Sequence, residues 1–225
     1  MTISKIRPIR SYVLRQGRLT KHQAEGIKSL SSLHAISFGD NILNWDAIFK
    51  NEGKRIIEIG FGMGDTTAEI AETLSNSNFI AIDVHSPGVG NLLNKIKEKE
   101  LQNLKIIQHD AVEVLEKMVL DESLDAVHIF FPDPWHKKRH NKRRLIQEPF
   151  LELISRKLRK EGYIHIATDW EDYSHWIIEI FKKNEMYKSK NSDFSKKPSY
   201  RPETKYENRG INLGHQVWDI IFVKS

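Results

Sequence analysis

Short apolar segments alternate with longer amphipathic ones along most of the chain. The apolar segments cover residues 55–60, 78–84, 104–110, 125–131 and 163–168, and they are rich in isoleucine or valine. Near-continuous apolar runs of this length are typical of parallel strands that are covered on both faces. Residues 66–74, 90–101, 112–118, 143–159 and 172–183 carry apolar residues at helical spacing. The alternation predicts an α/β fold with a doubly wound parallel sheet.

The two ends of the chain depart from this alternation. Residues 1–40 have no clear period and predict a basic N-terminal arm with a helix near residues 21–30, whereas residues 41–225 predict a single domain. Within the helix expected at 143–159, Pro149 predicts a kink. A polar loop at residues 188–215 precedes a last strand at 216–223. Because loops this long inside a compact domain are usually functional, we expect residues 188–215 to take part in binding.

Composition excludes several classes of site. The 225 residues include no cysteine, which excludes disulfides, thiolate catalysis and cysteine-type zinc sites. His136 and His140 are four residues apart, but no third ligand accompanies them, so we expect no metal. No apolar run approaches the length of a membrane span and no signal peptide pattern occurs. We therefore expect a cytoplasmic protein without membrane contact.

Positive charge is concentrated in three segments of a chain whose net charge is only +5. Residues 1–34 carry seven Lys or Arg against one acid, residues 136–144 carry six and no acid, and residues 188–209 carry seven against three. Localised basic segments predict a surface that binds a polyanion such as nucleic acid. The alternative is that each segment is simply a solvated face.

A glycine-rich turn follows the first predicted strand. Its sequence is Glu58-Ile59-Gly60-Phe61-Gly62-Met63-Gly64-Asp65. Glycine lets the backbone turn tightly and lets a ligand approach it closely. The dinucleotide fingerprint would place its third glycine at position 65, and the flanking carboxylates oppose a pyrophosphate. A cationic ligand with an amino-acid tail, such as S-adenosylmethionine, tolerates them, so the turn with Gly60 and Gly62 is predicted to bind that cofactor.

Two further acids fall at the ends of the next two predicted strands. Asp83 follows the second strand, in the position that usually binds ribose hydroxyls. Asp110 ends the third strand, from which its carboxylate can reach an adenine amino group. Because the carboxyl ends of parallel strands meet at one edge of a sheet, these acids and the glycine turn should line one crevice. The alternative is a tight turn followed by two helix N-caps.

Residues 131–144, which we call the basic loop, join a reactive carboxylate to a cationic segment. The predicted strand 125–131 leads into Asp133, which lies between Pro132 and Pro134 and directly precedes the basic residues. Proline fixes φ, so both neighbours stiffen the position of this acid. We predict that Asp133 is the catalytic residue, while Trp135 and His136 are available to stack on a base. The alternative for Asp133 is a turn residue.

On these residues the chain resembles bacterial tRNA (guanine-N7-)-methyltransferases. The resemblance runs through residues 9–18, 58–64, 83–90, 131–144, 167–170 and 204–207, and so spans almost the whole chain. Departures are small: Asp83 stands where members also carry Glu, and Tyr206 where many carry Phe. The resemblance implies a Rossmann-like methyltransferase fold, with helices on both faces of a seven-stranded, mostly parallel sheet and an antiparallel last strand.

The resemblance also implies residue roles. It implies contacts to S-adenosylmethionine at Glu58, Asp83, Asp110 and Asp133. It implies substrate contacts at Lys137, Asp169, Thr204, Lys205, Tyr206 and Glu207, although Asp169 is also a candidate helix N-cap. It implies RNA contacts at Arg139, His140, Asn141, Lys142, Arg143 and Arg144. The implied reaction methylates N7 of a guanine in the variable loop of tRNA, normally nucleotide 46.

Two other functions stay open at this level. One is methylation of another RNA site or of a small molecule, which the basic segments disfavour in its small-molecule form. The other is a non-catalytic RNA-binding protein on a relict nucleotide-binding fold, which the full set of acids disfavours. The sequence indicates no obligate protein partner, and it leaves both a monomer and a homodimer open.

Overall fold

Seven strands form one sheet in the computed structural model, which describes residues 10–12, 17–189, 193–203, 207 and 216–225. The strands are β1 (Lys54–Ile59), β2 (Ser77–Asp83), β3 (Leu104–Gln108), β4 (Leu124–Phe130), β5 (Leu158–Thr168), β6 (Tyr187–Ser189) and β7 (Trp218–Lys224). Their spatial order is β3-β2-β1-β4-β5-β7-β6. The strand order therefore reverses between β1 and β4, which is where ligands bind in open α/β sheets.

The first five strands are parallel, and β7 runs antiparallel to both β5 and β6. This confirms the predicted α/β class and the seven-stranded sheet with an antiparallel last strand. The five parallel strands end at one side of the sheet, which we call the carboxyl edge. Each helix that follows a parallel strand returns the chain to the opposite edge, so residues directly after these strands share one neighbourhood.

Helices cover both faces of the sheet. They are α1 (Lys21–His34), α2 (Trp45–Phe49), α3 (Asp65–Thr73), α4 (Ser86–Glu98), α5 (Ala111–Met118), α6 (Glu148–Lys157) and α7 (Glu171–Lys182). Neighbouring strand residues alternate between two buried apolar clusters: Ile57 and Ile80 belong to one, Ile56 and Phe79 to the other. The near-continuous apolar runs in the sequence follow directly from this two-sided burial.

The helix expected near residues 21–30 is present as α1, and its first turn has a clear cause. The Thr20 hydroxyl accepts a hydrogen bond from the Gln23 amide (3.2 Å), and the Gln23 side chain accepts one from the Thr20 amide (2.9 Å). This reciprocal pair is a capping box. Helix α1 packs on α4. None of the helices in the described ranges is both long and apolar enough to cross a membrane.

The prediction of a kinked helix over residues 143–159 is wrong. Lys138–Arg143 form a short 3₁₀ helix, and α6 begins only at Glu148. Pro149 lies in the first turn of α6, where its missing N–H has no intrahelical partner to lose, so it starts the helix instead of kinking it. Helix α4 begins at Ser86, four residues before the prediction, for the same reason: Pro87 occupies its first turn.

Candidate functional site

A cavity of about 410 Å³ opens at the carboxyl edge between β1 and β4. Its lining includes five of the residues predicted to bind the cofactor: Gly60, Gly62, Asp83, Asp110 and Asp133. The volume lies in the range of cavities that bind small molecules, about 300–1,000 Å³. The strand-end acids and the glycine turn, which are far apart in the sequence, are therefore brought together as predicted.

The glycine turn leaves its backbone open to the cavity. Gly60 and Gly62 have φ of 80° and 58°, a left-handed conformation that other residues adopt at a cost. A Cβ atom added at either position would meet no protein atom within 4 Å. Any side chain at these positions would therefore occupy cavity space, so the two glycines keep room for a ligand against the backbone.

Glu58 lies beneath this turn at the end of β1 and is not part of the cavity lining. Its Oε1 atom accepts a hydrogen bond from the Thr67 hydroxyl (2.9 Å), but its buried Oε2 atom has no partner among the described residues. Burial raises the pKa of Glu58 to about 7, and the nearby charge of Asp83 adds to this effect. A buried carboxylate with an unpartnered oxygen fits a ligand that carries an ammonium group, which would stabilise its charged form.

Asp83 is held rigidly by the backbone around it. Its Oδ2 atom accepts a hydrogen bond from the Gly62 amide (2.8 Å), and Oδ1 accepts one from the His85 amide (2.9 Å). Burial raises its pKa, and these amide bonds act in the opposite direction. Each carboxylate oxygen can accept a second hydrogen bond, so Asp83 keeps capacity for ligand hydroxyls. It does not cap α4, whose N-cap is His85.

Asp110 both caps a helix and lines the cavity. Its Oδ1 atom accepts hydrogen bonds from the amides of Val112 (2.9 Å) and Glu113 (3.3 Å), so the N-cap alternative for this acid is realised. The cap uses Oδ1, and the Asp110 carboxylate also interacts with the Tyr12 hydroxyl, yet a carboxylate can accept further hydrogen bonds, so the cap and a ligand contact are compatible. Tyr12 also lines the cavity, and burial followed by the charge of Asp110 raises the pKa of its phenol to about 12. No sequence spacing links Tyr12 to the cavity, since 98 positions separate it from Asp110.

Asp133 stands in the cavity wall with an exposed carboxylate. Within the described part of the chain it accepts no hydrogen bond and forms no ion pair. The loop around it is nevertheless constrained: Phe131 has φ of 51°, a left-handed conformation that is strained for a bulky residue. The Phe131 amide donates to the Ala167 carbonyl oxygen (2.7 Å), which ties the start of the basic loop to β5. The backbone is thus fixed while the carboxylate is free to meet a ligand.

The rest of the basic loop is attached to the N-terminal arm. The Trp135 indole donates to the Ser11 carbonyl oxygen (2.9 Å), and the Arg143 guanidinium lies 4.1 Å from the centre of the Trp135 ring. The Arg143 side chain also donates to the Arg10 carbonyl oxygen (3.4 Å). Trp135 is therefore engaged in structural contacts, which leaves little of it to stack on a base.

Arg144 departs from its predicted role. Its side chain is 1% exposed, donates to the Pro134 carbonyl oxygen (2.9 Å) and forms an ion pair with Asp172 on α7. Its guanidinium also packs on the rings of Tyr173 and Trp176, at 4.9 and 5.0 Å from their centres. The prediction of an RNA contact for Arg144 is wrong for this conformation, because its donors are buried within the scaffold.

The other predicted RNA-contacting residues lie on or near the surface of the 3₁₀ helix. Arg139 and Lys142 are exposed, and His140, Asn141 and Arg143 are half-buried; Lys137, which is predicted to contact the substrate, precedes them and is also exposed. Partial burial, followed by the charges of neighbouring arginines, lowers the pKa of His140, so it adds little charge near neutral pH. The cationic surface therefore consists mainly of lysine and arginine side chains next to Asp133.

The remaining predicted substrate residues lie apart from the cavity lining. Asp169 is exposed after β5, and Trp170 is the N-cap of α7, so the N-cap alternative for Asp169 is not realised. Glu207 is buried, and its two oxygens accept hydrogen bonds from Arg201 (2.7 and 2.9 Å), which also binds Asp219. The other three predicted substrate residues lie outside the described residues: Thr204, Lys205 and Tyr206.

Comparison with known proteins shows the family of this chain. A family model with the description "Putative methyltransferase" matches residues 52–220. A relative from Methylobacillus flagellatus named tRNA (guanine-N(7)-)-methyltransferase is 54% identical over 96% of this chain and 91% of the relative. A relative of the same name from Ralstonia pickettii is 49% identical over 97% of this chain and 85% of the relative.

Solved structures agree in fold. The 16S rRNA methyltransferase KamB is 12% identical, with a TM-score of 0.59 over 80% of this chain and 92% of that chain. An rRNA methylase from Streptococcus thermophilus is also 12% identical, with a TM-score of 0.53 over 79% and 90%. At these identities the likeness concerns the fold alone, and it confirms the Rossmann-like methyltransferase fold. The identity and coverage of the two relatives show more, namely that this chain belongs to the family of tRNA (guanine-N(7)-)-methyltransferases.

Proposed function

We propose that this protein transfers a methyl group from S-adenosylmethionine to N7 of a guanine in tRNA, normally nucleotide 46 in the variable loop. The observation that carries the proposal is the position of Asp133, which lines the cavity and begins the most basic segment of the chain. A small-molecule site and a polyanion-binding surface thus share one loop. The names of the relatives support tRNA as the polyanion.

The cofactor would be held by side chains of β1 to β4 and the turns that follow them. Glu58, with its unpartnered Oε2 atom, suits the ammonium group, and Asp83 suits the ribose hydroxyls. Asp110 caps α5 through Oδ1 and also interacts with Tyr12, and its remaining capacity to accept hydrogen bonds is proposed to serve the adenine amino group. S-adenosylmethionine, when bound, supplies a methyl carbon whose bond to sulfur breaks with its electron pair returning to sulfur.

The reaction requires little acid–base catalysis by the protein. Guanine N7 carries no proton at neutral pH, so its lone pair can form the new bond to carbon without a general base. The base gains a positive charge as this bond forms. Asp133 is suited to orient the guanine and to stabilise that charge, because its backbone is fixed and its carboxylate is unpaired within the described residues.

The tRNA would be bound by the basic loop and by the loop at residues 188–215. Lys137 is proposed to contact the guanine carbonyl or a phosphate, and Asp169 the guanine, together with the segment 204–207, in which Glu207 accepts hydrogen bonds from Arg201. Exposed cations such as Arg139 and Lys142 are proposed to contact phosphates. Because tRNA is the proposed substrate, we also propose that the protein works in the cytoplasm.

A tRNA that carries 7-deazaguanine at the target nucleotide tests the reacting atom directly. This substitution replaces N7 by C–H, so the tRNA should bind with nearly unchanged affinity and accept no methyl group. The matched substrate is the same tRNA with guanine, on which the methylated nucleotide is mapped after reaction. Methylation of the deaza substrate would reject N7 as the nucleophile. Absence of methyl transfer to either tRNA, with binding intact, would favour the non-catalytic RNA-binding alternative.

A further inference from the structure

Trp170 presents an indole ring to solvent at the carboxyl edge. Among the five tryptophans, all of which are described, it alone has an exposed side chain, at 42%. Its backbone is nevertheless held firmly, since its carbonyl oxygen accepts hydrogen bonds from the amides of Tyr173 (3.1 Å) and Ser174 (2.9 Å). A large exposed aromatic ring on a rigid helix start is unusual for a packing residue and typical of a binding residue.

The ring of His136 lies beside it. The two ring centres are 6.0 Å apart with planes inclined at 50°, and the His136 side chain is also exposed. They approach because β4 and β5 are neighbours, with Phe130 paired to Ala167, so the chain leaves both strands at the same point of the edge. His136 follows Asp133, a residue of the cavity lining, by three residues, and neither ring is itself part of that lining.

A buried arginine fixes the spacing of this pair. The Arg144 guanidinium donates to the Pro134 carbonyl oxygen on one side and to the Asp172 carboxylate on the other. Pro134 is two residues before His136, and Asp172 is two residues after Trp170. Charge-assisted hydrogen bonds of this kind are directional, and the guanidinium that makes them is buried, although the Asp172 carboxylate is exposed. The clamp therefore sets the distance between the two segments that carry the rings.

We propose that Trp170, together with His136, is the stacking platform for the guanine that is methylated. The inference rests on the proposed function and adds a binding site to it. Unpaired bases of RNA are recognised by stacking on aromatic side chains, and the exposed cations Lys137 and Arg139 continue from His136 where the flanking phosphates would lie. Because Trp135 is occupied by Arg143 and Ser11, the platform falls to Trp170.

Methylation changes the charge of the base that stacks on this platform. Guanine is neutral before the reaction and cationic once N7 carries a methyl group. The face of an indole attracts cations more strongly than the face of a phenyl ring. Stacking on Trp170 therefore strengthens as charge develops, which lowers the barrier as well as binding the base. A ring that only packs against its neighbours would not distinguish methylated from unmodified tRNA.

The test compares the affinities of the full-length protein for methylated and unmodified tRNA in the presence of S-adenosylhomocysteine. Dissociation constants are determined for an unmodified tRNA and for the same tRNA carrying 7-methylguanosine at the target nucleotide. We expect Trp170→Ala to lower the preference for the methylated tRNA by about 3- to 30-fold, the range for a cation–π contact, and Trp170→Phe to lower it less. In turnover, Trp170→Ala should lower kcat by a similar factor.

Leu120→Ala is the matched control, because Leu120 is 61% exposed and lies between α5 and β4, at the opposite edge of the sheet. Leu120→Ala should change neither the preference for the methylated tRNA nor kcat. An unchanged preference in Trp170→Ala would overturn the stacking proposal, even if kcat fell, because a structural defect alone lowers kcat. If wild-type protein methylates no tRNA, the proposed function fails instead, so the two failures are distinguishable.

Discussion

Carboxylates at the two halves of the carboxyl edge are held in different ways. At the ends of β2 and β3, Asp83 and Asp110 each accept two hydrogen bonds from backbone amides. Beyond β4 and β5, Asp133 and Asp169 are exposed and accept none within the described residues. The first half is preorganised for a small ligand of fixed shape. The second half presents free groups on a fixed backbone, which suits a large substrate that completes the site when it docks.

The largest effect should come from Asp133, the residue at which the two halves meet. We expect Asp133→Asn to lower kcat by about 10²–10³-fold, the range for loss of one preorganised electrostatic group. The amide keeps the size and much of the hydrogen bonding but loses the charge that opposes the developing cation. Steady-state methyl transfer measures kcat, and S-adenosylmethionine must be saturating because Asp133 also lines the cavity proposed to hold it.

Asp169→Asn is the matched variant for this prediction, since it removes an equally exposed acid from the neighbouring strand end. We expect a smaller loss of kcat there. Full activity of Asp133→Asn, with a large loss in Asp169→Asn, would reverse their roles and make Asp133 a turn residue.

The first half of the edge, which carries Asp83 and Asp110, was largely predictable from the sequence. Apolar strand runs mark where each strand ends, and the polar residue directly after a parallel strand lies at the carboxyl edge in any doubly wound sheet. That reasoning located Asp83 and Asp110 without knowledge of side-chain packing. It offered the cap on α5 only as an alternative to ligand binding, whereas Asp110 both caps α5 and lines the cavity, and it did not show that Glu58 lies below the cavity instead of in its lining. Those details depend on where the side chains point, which the hydrophobic periodicity and the residue spacing of the sequence do not determine.

The second half of the edge was less predictable because its contacts are long-range. Nothing near Arg144 in the sequence separates it from the exposed cations before it, since its partner Asp172 is 28 positions away. Leu145 and Ile146 continue the apolar spacing of α6, so periodicity extended that helix over residues that precede its start at Glu148. A charge run therefore predicts a basic surface, but it does not reveal which of its members are buried.

Asp83 tests whether the first half is specific for the cofactor. We expect Asp83→Ala to weaken S-adenosylmethionine binding at least about tenfold, because hydrogen bonds to a charged group contribute about 1.5–3 kcal/mol each. Affinity for tRNA should stay nearly unchanged. Calorimetry with each ligand measures both, and Asp65→Ala is the control, since Asp65 is mostly exposed and paired with Lys95 outside the cavity. Unchanged cofactor affinity in Asp83→Ala would remove the ribose assignment.

Glu58 makes cofactor affinity depend on pH. Its pKa of about 7 means that the carboxyl is partly protonated near neutrality in the free protein. An ammonium group favours the charged form, so binding requires loss of this proton below that pKa. Affinity for S-adenosylhomocysteine should therefore fall by up to about tenfold per pH unit as pH drops below 7. Glu58→Gln keeps the shape and cannot titrate, so its affinity should be weaker and flat over this range; a flat profile in wild type would contradict the assignment.

The smallest effect should come from the exposed cations of the second half. If Arg139 and Lys142 contact phosphates, replacing both with Gln should flatten the slope of log K against log salt by up to about 0.9 per lost contact. The control pair is Arg156→Gln with Lys160→Gln, which removes the same charge from exposed positions near the opposite edge. Titration of tRNA at several salt concentrations separates local contacts from net charge. Equal slopes for the two double variants would mean that the basic loop acts only through the overall field of the protein, and the contrast between the two halves would then rest on Asp133 alone.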